Sequence, residues 1–193
     1  MKRLINSLAW AAALSLAAAF SAQAAPLPAG VTDASYVAPD GSRTLSESIE
    51  IAAPPMVVWK LFTDVGAIKA TGVSDAWVDL RGGGVLEESL GPQFGRGDAM
   101  NIRHGIIAYV PGRLMILQNQ NTPAGLPGRE AFKTIIQIVQ IEDLGGGRSR
   151  LTLTGTGYGG GAEYDGLYAF FQEHNAEGLT TFKAVAEKLA ASR

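Results

Sequence analysis

The end of the chain carries the strongest constraint on the fold. From Glu163 onward, Tyr164, Leu167, Tyr168, Phe171, Leu179, Phe182, Val185 and Leu189 recur at helical spacing and fall on one stripe. A helix over this stretch would be on the order of 40 Å long, enough to lie across an entire sheet. A rod of that length with one apolar face has to bury the face against a broad apolar partner.

The residues before it supply that partner. Between residues 75 and 156 the apolar period is two, and strands are expected at residues 75–80, 84–90, 99–110, 113–120, 132–143 and 148–156. The links Arg81-Gly82-Gly83-Gly84, Gly95-Arg96-Gly97-Asp98, Pro111-Gly112 and Gly145-Gly146-Gly147 carry turn chemistry. Links this short join antiparallel neighbours. Residues 121–129 form a longer loop. Upstream, residues 43–51 alternate, with Leu45, Ile49 and Ile51 on one parity and Glu47 interrupting it. Pro54-Pro55 then opens a helix with Val58, Leu61, Phe62 and Val65 at helical spacing, ending near residues 64–66, and a short helical turn follows at 67–70. Helices are thus segregated from strands. The class is α+β, an antiparallel sheet of about six to seven strands packed on the C-terminal helix.

One motif points elsewhere. Gly155, Gly157 and Gly160 in "GTGYGGG" fit G-x-G-x-x-G, the phosphate-cradling turn of dinucleotide-binding folds. That turn works inside a βαβ unit, with a parallel strand after the helix to carry an acidic ribose ligand. Here the helix is not followed by a strand, so residues 155–161 are expected to be a flexible strand-to-helix hinge, and no nucleotide cofactor is expected.

The N-terminus predicts export. Met1-Lys2-Arg3 is a basic n-region, residues 8–20 are an apolar h-region too short for a comfortable bilayer crossing, and Ala22-Gln23-Ala24 offers an A-x-A cleavage site before Pro26. The alternatives are a buried N-terminal helix or a membrane anchor. With cleavage after Ala24 the protein would be soluble and periplasmic or secreted. The absence of cysteine rules out lipidation at a lipobox. Cleavage would remove Lys2 and Arg3 of 16 basic residues and none of 18 acidic ones, leaving a net charge of −4. A mildly acidic chain without a basic block is a poor nucleic-acid partner. Residues 25–43, rich in Pro, Gly, Asp and Ser, are expected to be a flexible lead-in to one domain over residues 44–193. The sequence does not indicate an oligomeric state.

Three segments carry a family resemblance. "SIEIAAPPMVVWKLFTDVGAIKA" (residues 48–70) resembles the opening of START-like helix-grip proteins, the SRPBCC superfamily, with its strand, Pro-led helix bearing a Trp, and Thr-Asp helix end. "IIAYVPGRLMIL" (residues 106–117) resembles their central hairpin. Residues 157–189 resemble the closing helix of a bacterial branch related to polyketide cyclases and chaperone-ATPase activators. The resemblance implies a curved sheet gripping the long helix with an apolar cavity between them. It also implies binding of lipids, sterols or polyketides, with catalysis in some members.

Residues expected at such a cavity follow from parity. Met100, Ile102, His104, Ile106 and Ala108 share one face of their strand, while Asn101, Arg103 and Tyr109 take the other, provided that no bulge intervenes. His104 is then either a hydrogen-bonded core residue or a ligand-orienting group or base. On the helix, Tyr168 and Phe171 belong to the buried stripe, and Asn175 follows one turn later, where it must pair with the sheet or a ligand. Gly178 costs about 1 kcal/mol relative to Ala in a helix, which predicts close approach of another element. Trp59, Phe62, Trp77, Phe132 and Tyr158 are core or cavity wall. Residues 132–143 offer two partly apolar parities, so their inward face is open.

Catalytic and metal-binding sets are missing from the sequence. Two histidines and no cysteine make no standard zinc set, no D-x-D-x-D-G calcium loop occurs, and no G-x-S-x-G elbow occurs. Glu87 and Glu88 are adjacent on a strand and so point to opposite faces. The expected function is therefore binding of a small hydrophobic ligand without cofactor or metal. The alternatives are a cyclase- or hydrolase-like enzyme using His104 with a tyrosine or Asn175, and a protein-binding module.

Overall fold

The computed structural model describes residues 26–192. The signal-peptide reading of residues 1–24 lies outside them. Nine strands form one antiparallel sheet: β1 (Val31–Asp33), β2 (Tyr36–Val37), β3 (Arg43–Ile51), β4 (Asp75–Val78), β5 (Val85–Ser89), β6 (Ile102–Val110), β7 (Leu114–Asn121), β8 (Ile136–Gly145) and β9 (Arg148–Tyr158). The spatial order is β1-β3-β9-β8-β7-β6-β5-β4, with β2 also paired to β3. Strands β4 to β9 are neighbours in sequence order, as the short glycine turns require. The helical connection from β3 to β4 carries the chain to the opposite edge of the sheet, and β9 returns beside β3. The sheet exceeds the expected strand count because the lead-in contributes β1 and β2, which pair along the edge of β3.

Helices α1 (Pro55–Trp59) and α2 (Val65–Ala70) follow β3, separated by a 3-10 turn at Lys60–Phe62. Pro54 and Pro55 occupy the helix start, where a missing N–H costs nothing. The Asp64 side chain caps α2 by accepting from the Ala67 N–H at 2.9 Å. Helix α3 (Arg129–Phe132) closes the expected loop, and the strand expected from residue 132 begins only at Ile136, as β8. The chain ends in α4 (Ala162–Ala191), 30 residues long, so about 45 Å at 1.5 Å per residue.

Helix α4 lies over the β3–β9 side of the sheet and divides the interior into two apolar clusters. Its C-terminal half buries Leu179 and Ala186 against α1, α2 and the sheet, including Ile49, Leu117, Val139 and Leu151. Its N-terminal half buries Leu167 with Leu45, Phe132, Ile135 and Tyr158. The two clusters do not merge.

The glycine-rich approach to α4 has a packing explanation. A Cβ on Gly155 would stand 2.9 Å from the Tyr158 hydroxyl, and one on Gly159 would stand 3.2 Å from the Tyr164 ring. Gly157 and Gly161 hold φ of 97° and 102°, which a side chain disfavours. These glycines make room for tyrosines and turn the chain into the helix. Residues 155–159 are thus packed, not the loose hinge expected. With antiparallel neighbours on both sides of β9, the βαβ context of a nucleotide cradle is absent.

Candidate functional site

A cavity of about 320 Å³ occupies the gap between the two clusters, under α4. Its walls draw on both: Phe62, Leu153 and Phe182 from one, Phe132, Tyr158 and Phe171 from the other. The aromatic walls interlock. Phe132 lies 4.7 Å from Phe171 between ring centroids, and His104 meets Phe132 edge-on at 5.9 Å. Phe62 meets Phe182 edge-on at 5.4 Å.

Polar side chains reach this cavity from several elements, among them Glu88 on β5, His104 on β6, Gln137 on β8 and Asn175 on α4. Register explains why they share it. Leu86 pairs with His104 and Glu88 with Ile102, so the carboxyl and the imidazole project from one face of adjacent strands. Gln137 pairs with Gly155 on one side and Leu117 on the other, both cavity residues. Burial pushes the Glu88 carboxyl up to about 7 and the His104 imidazole down to about 4. The imidazole is therefore neutral at physiological pH. His104 Nδ1 and Gln137 Oε1 are buried without a hydrogen-bond partner. Among the described residues, neither the Glu88 carboxylate nor the Asn175 amide has a protein partner. Asn175 therefore does not pair with the sheet backbone.

The outer face of β5 behaves differently. Glu87 is buried there and accepts from Asn101 Nδ2 at 2.7 Å and from the Gly97 N–H at 2.5 Å, so it pins the loop after β5. A second, larger groove of about 900 Å³ runs along the surface past Pro54, Met56, Pro111 and Arg113. It is open to solvent, and its Glu142 is taken by Arg150 at 2.8 Å.

Residues 42–187 match the sequence profile of the family described as polyketide cyclase / dehydrase and lipid transport. The chain belongs to that family. Its fold is the START-like helix grip of the SRPBCC superfamily, and family and fold together are those of a ligand-binding domain. Solved structures agree on the architecture. CalU16 from Micromonospora echinospora is 15% identical with a TM-score of 0.55, over 84% of this chain and 94% of that one. Ms6760 from Mycobacterium smegmatis is 21% identical with a TM-score of 0.56, over 84% and 98%. The Aha1 dimer from Colwellia psychrerythraea is 16% identical with a TM-score of 0.56, over 75% and 96%. At these identities the likeness is one of fold. No curated protein matches the sequence.

Within this helix-grip domain, Phe62, Ile102, His104, Phe132, Tyr158, Phe171 and Asn175 line the cavity. Trp59 and Ile106 are buried in the larger cluster instead, Trp59 stacked on Tyr109 at 6.3 Å. Tyr168 packs against Tyr158 at 5.1 Å and under the Arg43 guanidinium, outside the cavity lining. Trp77 pairs with Glu87 and so belongs to the outer face. Met100 precedes β6 in the turn over that face, which corrects its assignment to an inward strand position. The register shifts between Ile106 and Ala108, placing Tyr109 inward and Ala108 exposed, the reverse of simple alternation. A Cβ on Gly178 would meet only the Phe182 ring, at 3.9 Å. That glycine widens the cavity and does not admit a close neighbour. Glu88 and Gln137 were missed from sequence, although the alternation that placed His104 also pairs Glu88 with an inward residue. Among the described residues, no group of three or more His, Cys, Asp or Glu could hold a metal ion, and no helix is long and apolar enough to cross a membrane.

Proposed function

We propose that the protein is an exported, non-enzymatic binder of a small, mostly apolar molecule held between α4 and the sheet. One observation carries this reading: His104 Nδ1 and Gln137 Oε1 are buried without a partner at an aromatic cavity that Glu88 and Asn175 also line. Buried polar groups are satisfied in folded proteins, and here a guest can supply the missing bonds. A volume of about 320 Å³ lies at the lower end of small-molecule sites, which favours a compact aromatic or polyketide-like guest over a two-chain lipid. Export rests on the basic start, apolar run and Ala22-Gln23-Ala24 of the N-terminus. The test is to purify the mature protein natively and examine it by mass spectrometry before and after solvent extraction. A stoichiometric small molecule that leaves with denaturation is expected. An empty protein that also takes up none of a broad panel of apolar probes would defeat the reading.

A second reading, a cyclase- or hydrolase-like enzyme, is favoured by Glu88 and His104 projecting from one face of adjacent strands, with burial raising the carboxyl to about 7 and keeping the imidazole neutral. His104→Ala separates the two. Lost turnover of a bound guest with retained binding would establish catalysis.

A further inference from the structure

The cavity has an uneven chemical inventory. Phe62, Phe132, Tyr158, Phe170, Phe171 and Phe182 give it aromatic walls, Glu88 gives it one carboxyl, and no lysine or arginine lines it. Its unpartnered groups include the Glu88 carboxyl and the Asn175 amide, with Gln137 Oε1 and His104 Nδ1 buried and unpaired. A guest that matches them brings hydrogen-bond donors. An anionic guest would add a second negative charge beside Glu88 with no cation to offset either. A neutral guest can hydrogen-bond these groups but brings no counter-charge to the carboxyl. A protonated amine supplies the donors, pairs the carboxylate and finds aromatic faces for its charge.

Resting on the small-molecule reading above, we infer that the cavity selects a protonated amine, an arylalkyl- or alkylammonium with its nitrogen at Glu88 and its hydrocarbon part against the aromatic walls. Strands β6 and β7 separate Glu88 from Gln137, so the glutamine reads a different part of the guest.

Binding is then linked to protons. In the empty protein burial holds the Glu88 carboxyl at about 7, and an ammonium favours its ionised form. Below pH 7 the guest must displace a proton, so its affinity falls roughly tenfold per unit, while above pH 7 it levels off. The other titratable groups facing this space are His104 from β6, held neutral down to about pH 4, Tyr158 from β9, whose phenol burial raises beyond the ordinary range, and His174 from α4. Glu87, next in sequence, points to the outer face and is engaged there.

The experiment compares three probes on one skeleton by titration calorimetry with the full mature chain: 2-(1-naphthyl)ethylamine, 1-naphthaleneethanol and 1-naphthaleneacetate. At pH 8 the amine is expected to bind about tenfold or more tightly than the alcohol, with the acetate weakest. The amine's advantage should shrink towards pH 5.5 and vanish in Glu88→Gln. The pH series on the wild type stands even if that variant misfolds. Equal or better binding of the alcohol or acetate at pH 8, or an amine affinity independent of pH, would overturn the amine assignment and leave the small-molecule reading standing. Failure of all three to bind would overturn both.

Discussion

The hydroxyl of Tyr158 stands 2.9 Å from the point that a Cβ on Gly155 would occupy. Tyr158 is 2% exposed and folds back over its own strand, so the ring has nowhere to retreat. Gly155→Ala should therefore cost about 1–3 kcal/mol by overpacking. Gly160, the third member of the apparent nucleotide fingerprint, has nothing within 4 Å of its Cβ position. Gly160→Ala should stay within about 0.5 kcal/mol of wild type. Denaturant unfolding of both variants checks the contrast. Equal losses would mean that the glycines serve something other than tyrosine packing.

Gly178 gives a substitution that should stabilise the fold. Its Cβ position lies at the cavity and touches only Phe182 at 3.9 Å. Gly178→Ala should raise stability by up to about 1 kcal/mol through helix propensity. Thermal unfolding reads the gain, and a loss would show that the helix backbone is closely opposed there after all.

Glu47 lies fully buried on the helix-facing side of β3, both carboxylate oxygens lacking partners. Burial, then the facing Asp33, pushes its carboxyl from 4.5 up to about 7. A carboxyl raised in the folded state holds its proton after the unfolded chain has released its own, so stability is lost as pH rises from about 4.5 through 7. Relative to Glu47→Gln, the wild type should lose about 3 kcal/mol between pH 4.5 and 8. His104 works against this slope: its lowered value means that its contribution is lost as pH falls from 6.5 towards 4. Subtracting the variant's profile from the wild type's isolates Glu47, and parallel denaturation profiles would refute the assignment.

Arg43 ties the start of β3 to the start of α4. Its guanidinium donates to the Gly159 carbonyl at 3.0 Å, sits 4.8 Å over the Tyr168 ring and pairs with Asp165 at 2.8 Å. Asp165 is 59% exposed, so that ion pair adds little. Arg43→Ala should cost about 1–2 kcal/mol, and Asp165→Ala less than about 0.5 kcal/mol. Thermal melts of the two variants test the order.

The long helix and the run of hairpins were legible in sequence because period and glycine turns agree over residues 75–191. Strands β1 and β2 were not legible, because they are only three and two residues long and exist only through pairing with β3. Trp77 was misplaced because its face is set by the pairing with Glu87, and Met100 because the loop that Glu87 holds delays β6 to Ile102. The inversion at Tyr109 comes from one bulge, which the pattern Ile106-Ile107-Ala108 does not announce. Residues 136–141 carry Ile on both parities, so only the pairing of Val139 with Leu153 reveals that Gln137 turns inward. Glu88 was set aside as half of a mismatched pair, when being alone on its face is what makes it a site residue.

The central claim is that the space beneath α4 holds a guest. The most direct measurement is NMR shift mapping of the isotope-labelled protein during titration with 1-naphthaleneethanol. The account predicts shifts concentrated at His104, Phe132, Leu153 and Phe171, and their loss in Gly178→Phe, which fills the space. Shifts confined to the surface groove at Pro54, Pro111 and Arg113, or a response unchanged in Gly178→Phe, would contradict it.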